Sequence, residues 1–203
     1  MSKVLIVSKT QMQNGVCVGG IDIKTLELIR LHDEKGANLS SNVPYQIGDI
    51  WDIEMKTAWN VRQPPHIEDK QTIPNEKLEN IEIKGVIEFI TNHDFGSRLI
   101  KGSLNDAFEG CLNLQGTKNF INRNNIHAFS TQFWISDEPL IHSINFSSHY
   151  YYYKLMRIKY VGFQVPIEVI PKGTIIRLSL ANWWNGDGSG EERCYLQLSG
   201  WYL

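Results

Sequence analysis

Gly48-Asp49-Ile50-Trp51-Asp52-Ile53-Glu54-Met55 alternates strictly, so Ile50, Asp52 and Glu54 share one face of a strand while Trp51, Ile53 and Met55 share the other. A turn glycine opens the segment and Trp59-Asn60 closes it. Moved forward by 125 positions, the same frame meets Gly173-Thr174-Ile175-Ile176-Arg177-Leu178-Ser179-Leu180, with Trp184-Asn185 behind it. Gly, Ile, Trp and Asn coincide in type, the apolar positions alternate in phase, and a proline precedes each copy, at Pro44 and Pro171. A repeat at fixed offset points to duplicated supersecondary units. Two related β units explain it better than one continuous sheet.

Around these strands, short aliphatic runs at 4–7, 16–21 and 26–31 are bounded by turn residues, and Gly19-Gly20 inside the second suggests a bulge in a strongly curved sheet. The alternation over 81–90 predicts a further strand. Between 98 and 112, Leu99, Ile100, Leu104, Ala107, Phe108 and Cys111 recur at three- and four-residue spacing, which predicts a helix despite Gly102 and Gly110. Strand signals return over 129–135, 150–164, 174–180 and 194–202. The expected class is mostly β, α+β by content: a first β unit over 1–95, a helical insert or connector over 96–128, and a second β unit over 129–203.

The chain has 203 residues, 20 Lys+Arg and 22 Asp+Glu, a balance that argues against a general polyanion binder. By segment, residues 1–75 hold 8 cations and 9 anions, residues 76–144 hold 6 and 9, and residues 145–203 hold 6 and 4. Only the last segment is positive. Cys17, Cys111 and Cys194 are widely spaced and read as small buried hydrophobes in a reducing compartment. Four consecutive apolar residues near the N-terminus are too few for a signal peptide, and no run reaches the roughly 18–20 apolar residues that cross a bilayer. The expectation is a cytoplasmic protein without a membrane partner.

Chemistry concentrates in three places. Tyr150 to Tyr153 stand in a row, with alternate members on opposite faces, and Arg157 and Lys159 follow. Bases stack on exposed aromatics while the cations neutralise phosphate, so Tyr151, Tyr153, Arg157 and Lys159 are candidate ligand residues. The alternative is that these aromatics fill the core. Second, Asn182-Trp183-Trp184-Asn185-Gly186 opens a glycine-rich loop without P-loop order, whose Trp183, Trp184 and Asn185 can flank a ligand groove. Third, Trp59, Asn60, Arg62 and His66 lie on or beside the proline-stiffened stretch Arg62-Gln63-Pro64-Pro65-His66-Ile67-Glu68-Asp69. That loop admits ligand hydrogen bonding, a structural turn, or metal and acid–base chemistry at His66, Glu68 and Asp69. No nucleophile elbow, zinc spacing or cofactor motif is present, so no catalytic residue, metal or cofactor is expected.

Cys17-Val18-Gly19-Gly20, Ile29-Arg30-Leu31, Gly48-Asp49-Ile50-Trp51, Pro64-Pro65-His66-Ile67-Glu68-Asp69, Arg177-Leu178-Ser179-Leu180-Ala181, Trp183-Trp184 and Gln197-Leu198-Ser199-Gly200-Trp201-Tyr202 span nearly the whole chain. On these residues the sequence resembles the dual OB-containing domain family, bacterial proteins of defence-like or mobile gene neighbourhoods. The resemblance implies two OB-like β-barrels. By fold analogy it implies a non-catalytic module for single-stranded DNA or RNA or a nucleotide-like ligand, a sensor in a bacterial conflict system. The alternatives are an adaptor whose exposed aromatics meet a partner protein, and a metal-dependent hydrolase at the Pro-Pro-His-Ile-Glu-Asp loop.

Overall fold

Ten-residue β1 (Ser2–Gln11) is aliphatic at its centre, and Val4, Leu5, Ile6 and Val7 are all fully buried. The computed structural model that shows this describes residues 1–57, 64–186, 188 and 190–203. With β1, the strands β2 (Val16–Asp22), β3 (Leu28–His32), β4 (Asp49–Thr57) and β5 (Asp69–Asn80) close a barrel in the order β1-β2-β3-β5-β4. Every pairing is antiparallel except β3 with β5. β1 serves two neighbours: Ser2 to Leu5 pair with β4, while Val4 to Gln11 pair with β2 across a register shift between Ile6 and Ser8. That shift is the bend a small barrel requires. The inner residues are Val4, Ile6, Val16, Val18, Ile29, Leu31, Leu39, Tyr45, Trp51 and Ile53.

Residues 81–90, predicted as a strand, are helical: α1 spans Ile83–Asn92 and buries Val86 and Ile90. Ile83, Val86, Ile87 and Ile90 stand at i, i+3, i+4 and i+7, so the segment satisfies the helical period as well as alternation. Residues 98–112, predicted as a helix, are instead strand and 3-10 turn. β6 (Leu99–Gly102) ends at Gly102 with φ of 111°, a value no right-handed helix accepts. The 3-10 segment Leu104–Gly110 then kinks at Phe108 (φ 51°) and Glu109 (φ 54°) while burying Leu104, Ala107 and Phe108.

The chain forms two compact units, the second being Pro64–Ile67 with Gly96–Trp201; the first holds the remaining described residues, including Tyr202, whose hydroxyl donates to the Val7 carbonyl at 2.6 Å. In the second unit β6 is followed by β7 (Asn113–Gln115), β8 (Lys118–Asn122), β9 (Thr131–Ser136), β10 (Leu140–Asn145), β11 (Ser148–Tyr153), β12 (Met156–Tyr160), β13 (Val169–Ile170), β14 (Ile175–Leu180) and β15 (Arg193–Tyr202). The path β10-β11-β12-β15-β14-β9 repeats the order of the first barrel once β9 and β10 are taken as one strand interrupted at Asp137-Glu138-Pro139. Pro139 has no N–H for a ladder, so the strand breaks where β1 merely bulges. The pair equivalent to β3 with β5, namely β12 with β15, is again parallel.

The offset of 125 holds in three dimensions. Gly48 (φ 92°) and Gly173 (φ 85°) both donate their N–H to the partner first strand, at Ile6 O and Ser136 O, each over 2.9 Å. Val4 stands opposite Trp51 in one barrel and Trp134 opposite Ile176 in the other. The large and small core residues have exchanged strands. The second core is also more aromatic, with Tyr151, Tyr160 and Trp201 mutually in contact at centroid distances of 5.0–5.9 Å.

Candidate nucleic-acid interface

Two-residue turns set which tyrosines face outward. Lys154-Leu155 joins β11 to β12 with Tyr153 opposite Met156, which places Tyr152 opposite Arg157 and Tyr150 opposite Lys159. Residues directly opposed in an antiparallel pair share a face. Tyr151 and Tyr153 are 0% exposed core residues, which corrects their assignment as ligand residues. The Tyr151 hydroxyl is committed to Ile167 O at 3.0 Å and that of Tyr153 to Asp137 at 2.5 Å. Their place on the surface is taken by Tyr150 and Tyr152.

The outer face of β11, β12 and β15 carries a groove of about 170 Å³ lined by Thr117, Asn119, Tyr150, Arg157, Lys159, Tyr195, Leu196 and Gln197. Two cations stand in it and no carboxylate does. The Arg157 guanidinium lies 4.4 Å from the centre of the Tyr150 ring, a cation–π contact that holds the side chain in place without neutralising it. Lys159 faces Gln197 across the parallel pair, and among the described residues Arg157 and Lys159 have no ion-pair partner. By contrast, the cations near the β14–β15 loop are matched: Arg193 meets Glu191 at 3.0 Å and Arg123 meets Glu192 at 2.9 Å.

That loop extends the face with aromatics. Trp184 is 51% exposed and its ring lies 5.9 Å from that of Tyr195, which packs on Phe120 at 5.8 Å. Asn185 beside it is exposed. Trp183 is only half-buried but occupied: its Nε1–H donates to Pro64 O at 3.2 Å, and Arg123 covers its ring at 3.8 Å. Trp59, Asn60 and Arg62 lie outside the described residues.

The Pro-Pro-His-Ile-Glu-Asp segment does not present its side chains together. His66 is 8% exposed, with Nε2 3.7 Å from the buried Cys194 thiol, so it packs in the interior of the second unit, which corrects its assignment as a ligand residue. Asp69 belongs to the first unit and pairs with Arg30 at 3.1 Å and His32 at 3.3 Å. Among the described residues no group of three or more His, Cys, Asp or Glu is arranged to hold a metal ion.

Tyr150, Tyr195, Gln197, Asn119 and Thr117 are the groove residues that sequence reasoning missed. The signal for Tyr150 was there: Arg157-Ile158-Lys159-Tyr160 alternates polar and apolar, and a two-residue turn carries that parity onto Tyr150 and Tyr152. Asn119 and Thr117 carried none, because they come from a hairpin remote in sequence.

A five-stranded barrel closed in the order 1-2-3-5-4 with a parallel pair between strands three and five, followed by a second unit whose sheet repeats that order and that parallel pair, defines a tandem OB-fold protein. The family model for the dual OB-containing domain matches residues 2–201, and the chain belongs to that family. No curated protein and no solved structure matches the chain. Among the described residues no helix is long and apolar enough to cross a membrane.

Proposed function

We propose that the protein binds single-stranded nucleic acid on the outer face of its second barrel, with bases stacked on Tyr150, Tyr195 and Trp184 and phosphates held by Arg157 and Lys159. The observation that carries this reading is the groove itself, in which an arginine is laid on a tyrosine beside a lysine and no carboxylate competes for either. Stacking tolerates any base, and two cations account for about two phosphate contacts, so affinity falls gently with salt, with a slope near −1.4 at about −0.7 per contact. The test is a titration of labelled single-stranded DNA and RNA at several salt concentrations. Tyr150→Ala is expected to weaken binding about 5- to 150-fold, the equivalent of about 1–3 kcal/mol. Arg157→Ala with Lys159→Ala flattens the salt slope toward zero. Absence of binding at low salt, or wild-type binding by the double variant, overturns the reading.

A partner-protein reading draws on other residues of the second unit. Ile141 and Val169, opposed across β10 and β13, are 49% and 43% exposed, and Phe146 at the tip of the β10–β11 turn is 98% exposed. It predicts association that Phe146→Ser with Ile141→Ser abolishes in sedimentation, while nucleic-acid binding is untouched.

A further inference from the structure

Resting on the nucleic-acid reading, we infer that this groove takes one nucleotide at the end of a strand, or a free mononucleotide, and does not pass a continuous strand through. The reason is the β7–β8 hairpin, which is no part of the five-stranded barrel. β15 has two edges, and β14 takes one of them. Along the other edge β12 pairs at Gln197 and Leu198, while β8 pairs at Arg193, Cys194 and Tyr195, in line with β12. The hairpin therefore fills the position along which the groove would otherwise run out past Tyr195.

Its tip is fastened to β12. Arg157 N–H donates to Gly116 O at 2.8 Å, and the Asn119 amide donates to Gly116 O at 3.1 Å and to Arg157 O at 3.0 Å. Asn119 is 4% exposed, so these bonds are shielded from water. Thr117 and Asn119 thus form an end wall beside the two cations. Size agrees: about 170 Å³ is well under the roughly 300–1,000 Å³ of sites that enclose drug-sized molecules, and admits one ring system. Within that space Tyr150 and Tyr195 supply stacking faces, Gln197 supplies an amide with both donor and acceptor for a base edge, and Arg157 and Lys159 supply the phosphate site. A strand end and a free mononucleotide share this chemistry.

The experiment compares an oligothymidylate in linear and circularised form, with thymidine monophosphate as competitor. The linear form is expected to bind about tenfold or more tightly than the circle, and competition by thymidine monophosphate distinguishes the two sources. If only the linear oligomer competes, the source is a strand end; if the monophosphate binds as tightly as the oligomer, the source is a free nucleotide. Asn119→Ala, which unfastens the tip, is expected to bring the circle closer to the linear form. Equal binding of circle and linear form by the unaltered protein overturns the inference and leaves the nucleic-acid reading standing. Binding by none of the three overturns both.

Discussion

Arg30 in the first barrel and Lys159 in the second stand at the same topological position, on the third strand beside the parallel fifth strand, yet they live in opposite surroundings. Arg30 is 5% exposed and paired with Asp69, and Gly19 is its neighbour on the second strand. Lys159 is exposed, faces Gln197, and has Tyr150 as that neighbour. Where the first barrel has a glycine and a carboxylate, the second has an aromatic ring and an amide. One face is satisfied internally; the other is left with charge and ring surface to offer. A duplicated fold thus keeps its ladder and differs at three side chains.

The core makes the sharpest test of that equivalence. Trp134→Val should destabilise the protein by about 3 kcal/mol or more in urea unfolding, since Trp134 is fully buried. Adding Ile176→Trp reinstates the Val-opposite-Trp arrangement of Val4 and Trp51, and should recover more than half of that loss. Failure to recover would mean that the two barrels share a ladder but not a packing scheme.

Next comes the paired position on the third strand. Arg30→Ala strips Asp69 of its guanidinium and is expected to cost about 3–5 kcal/mol by thermal or urea denaturation. Lys159→Ala should stay within about 0.5 kcal/mol, its effect appearing in ligand titration alone. Comparable losses from both would break the contrast.

Acid should separate the barrels more gently. Asp49 opens β4 and is 0% exposed; burial pushes its carboxyl up, but bonds from Lys77, Gln46 N–H, Asn80 and Trp51 outweigh this and leave it below the usual carboxylate range. The folded value lies below the unfolded one, so the stabilisation is complete above the unfolded value and disappears as pH falls through the folded value. The matching residue in the second barrel is Thr174, which does not titrate. Asp49→Asn should flatten the acid limb of the stability curve, whereas an unchanged limb would remove Asp49 as its source.

The smallest effect concerns the turn after the first strand. The first barrel places Gly15 there at φ of 90°, while the second holds Phe146 at 54°, a left-handed angle that is costly for a side chain. Phe146→Gly is expected to raise stability by about 0.5–1 kcal/mol, read as a small gain in melting temperature.

How much of this was legible varies by element. The β4 strand could be read because Trp51 and Ile53 are buried while Asp52 and Glu54 are not, and β14 because Ile176, Leu178 and Leu180 alternate with Arg177 and Ser179 in polarity although both of its faces are largely covered. α1 could not, since Ile83, Val86, Ile87 and Ile90 satisfy two periods at once and only packing of Val86 and Ile90 decides between them. The 98–112 segment shows the reverse error: a helical spacing of Leu104, Ala107 and Phe108 survives in a chain that Gly102 and Gly110 bend into turns. For the candidate site, Arg157, Lys159 and Trp184 are legible from their residue types, whereas which tyrosines face outward depends on the parity that the two-residue turn carries from β12 onto β11.

By itself the sequence determined the duplication, the β class and the segment with surplus cations, because strand alternation, turn glycines and charge are written residue by residue. Only the tertiary structure decided which tyrosines meet water, that His66 is interior, and that a hairpin from 113–122 walls the groove. These depend on register and on residues far apart in the chain, and a one-residue change of register turns every side chain to the opposite face.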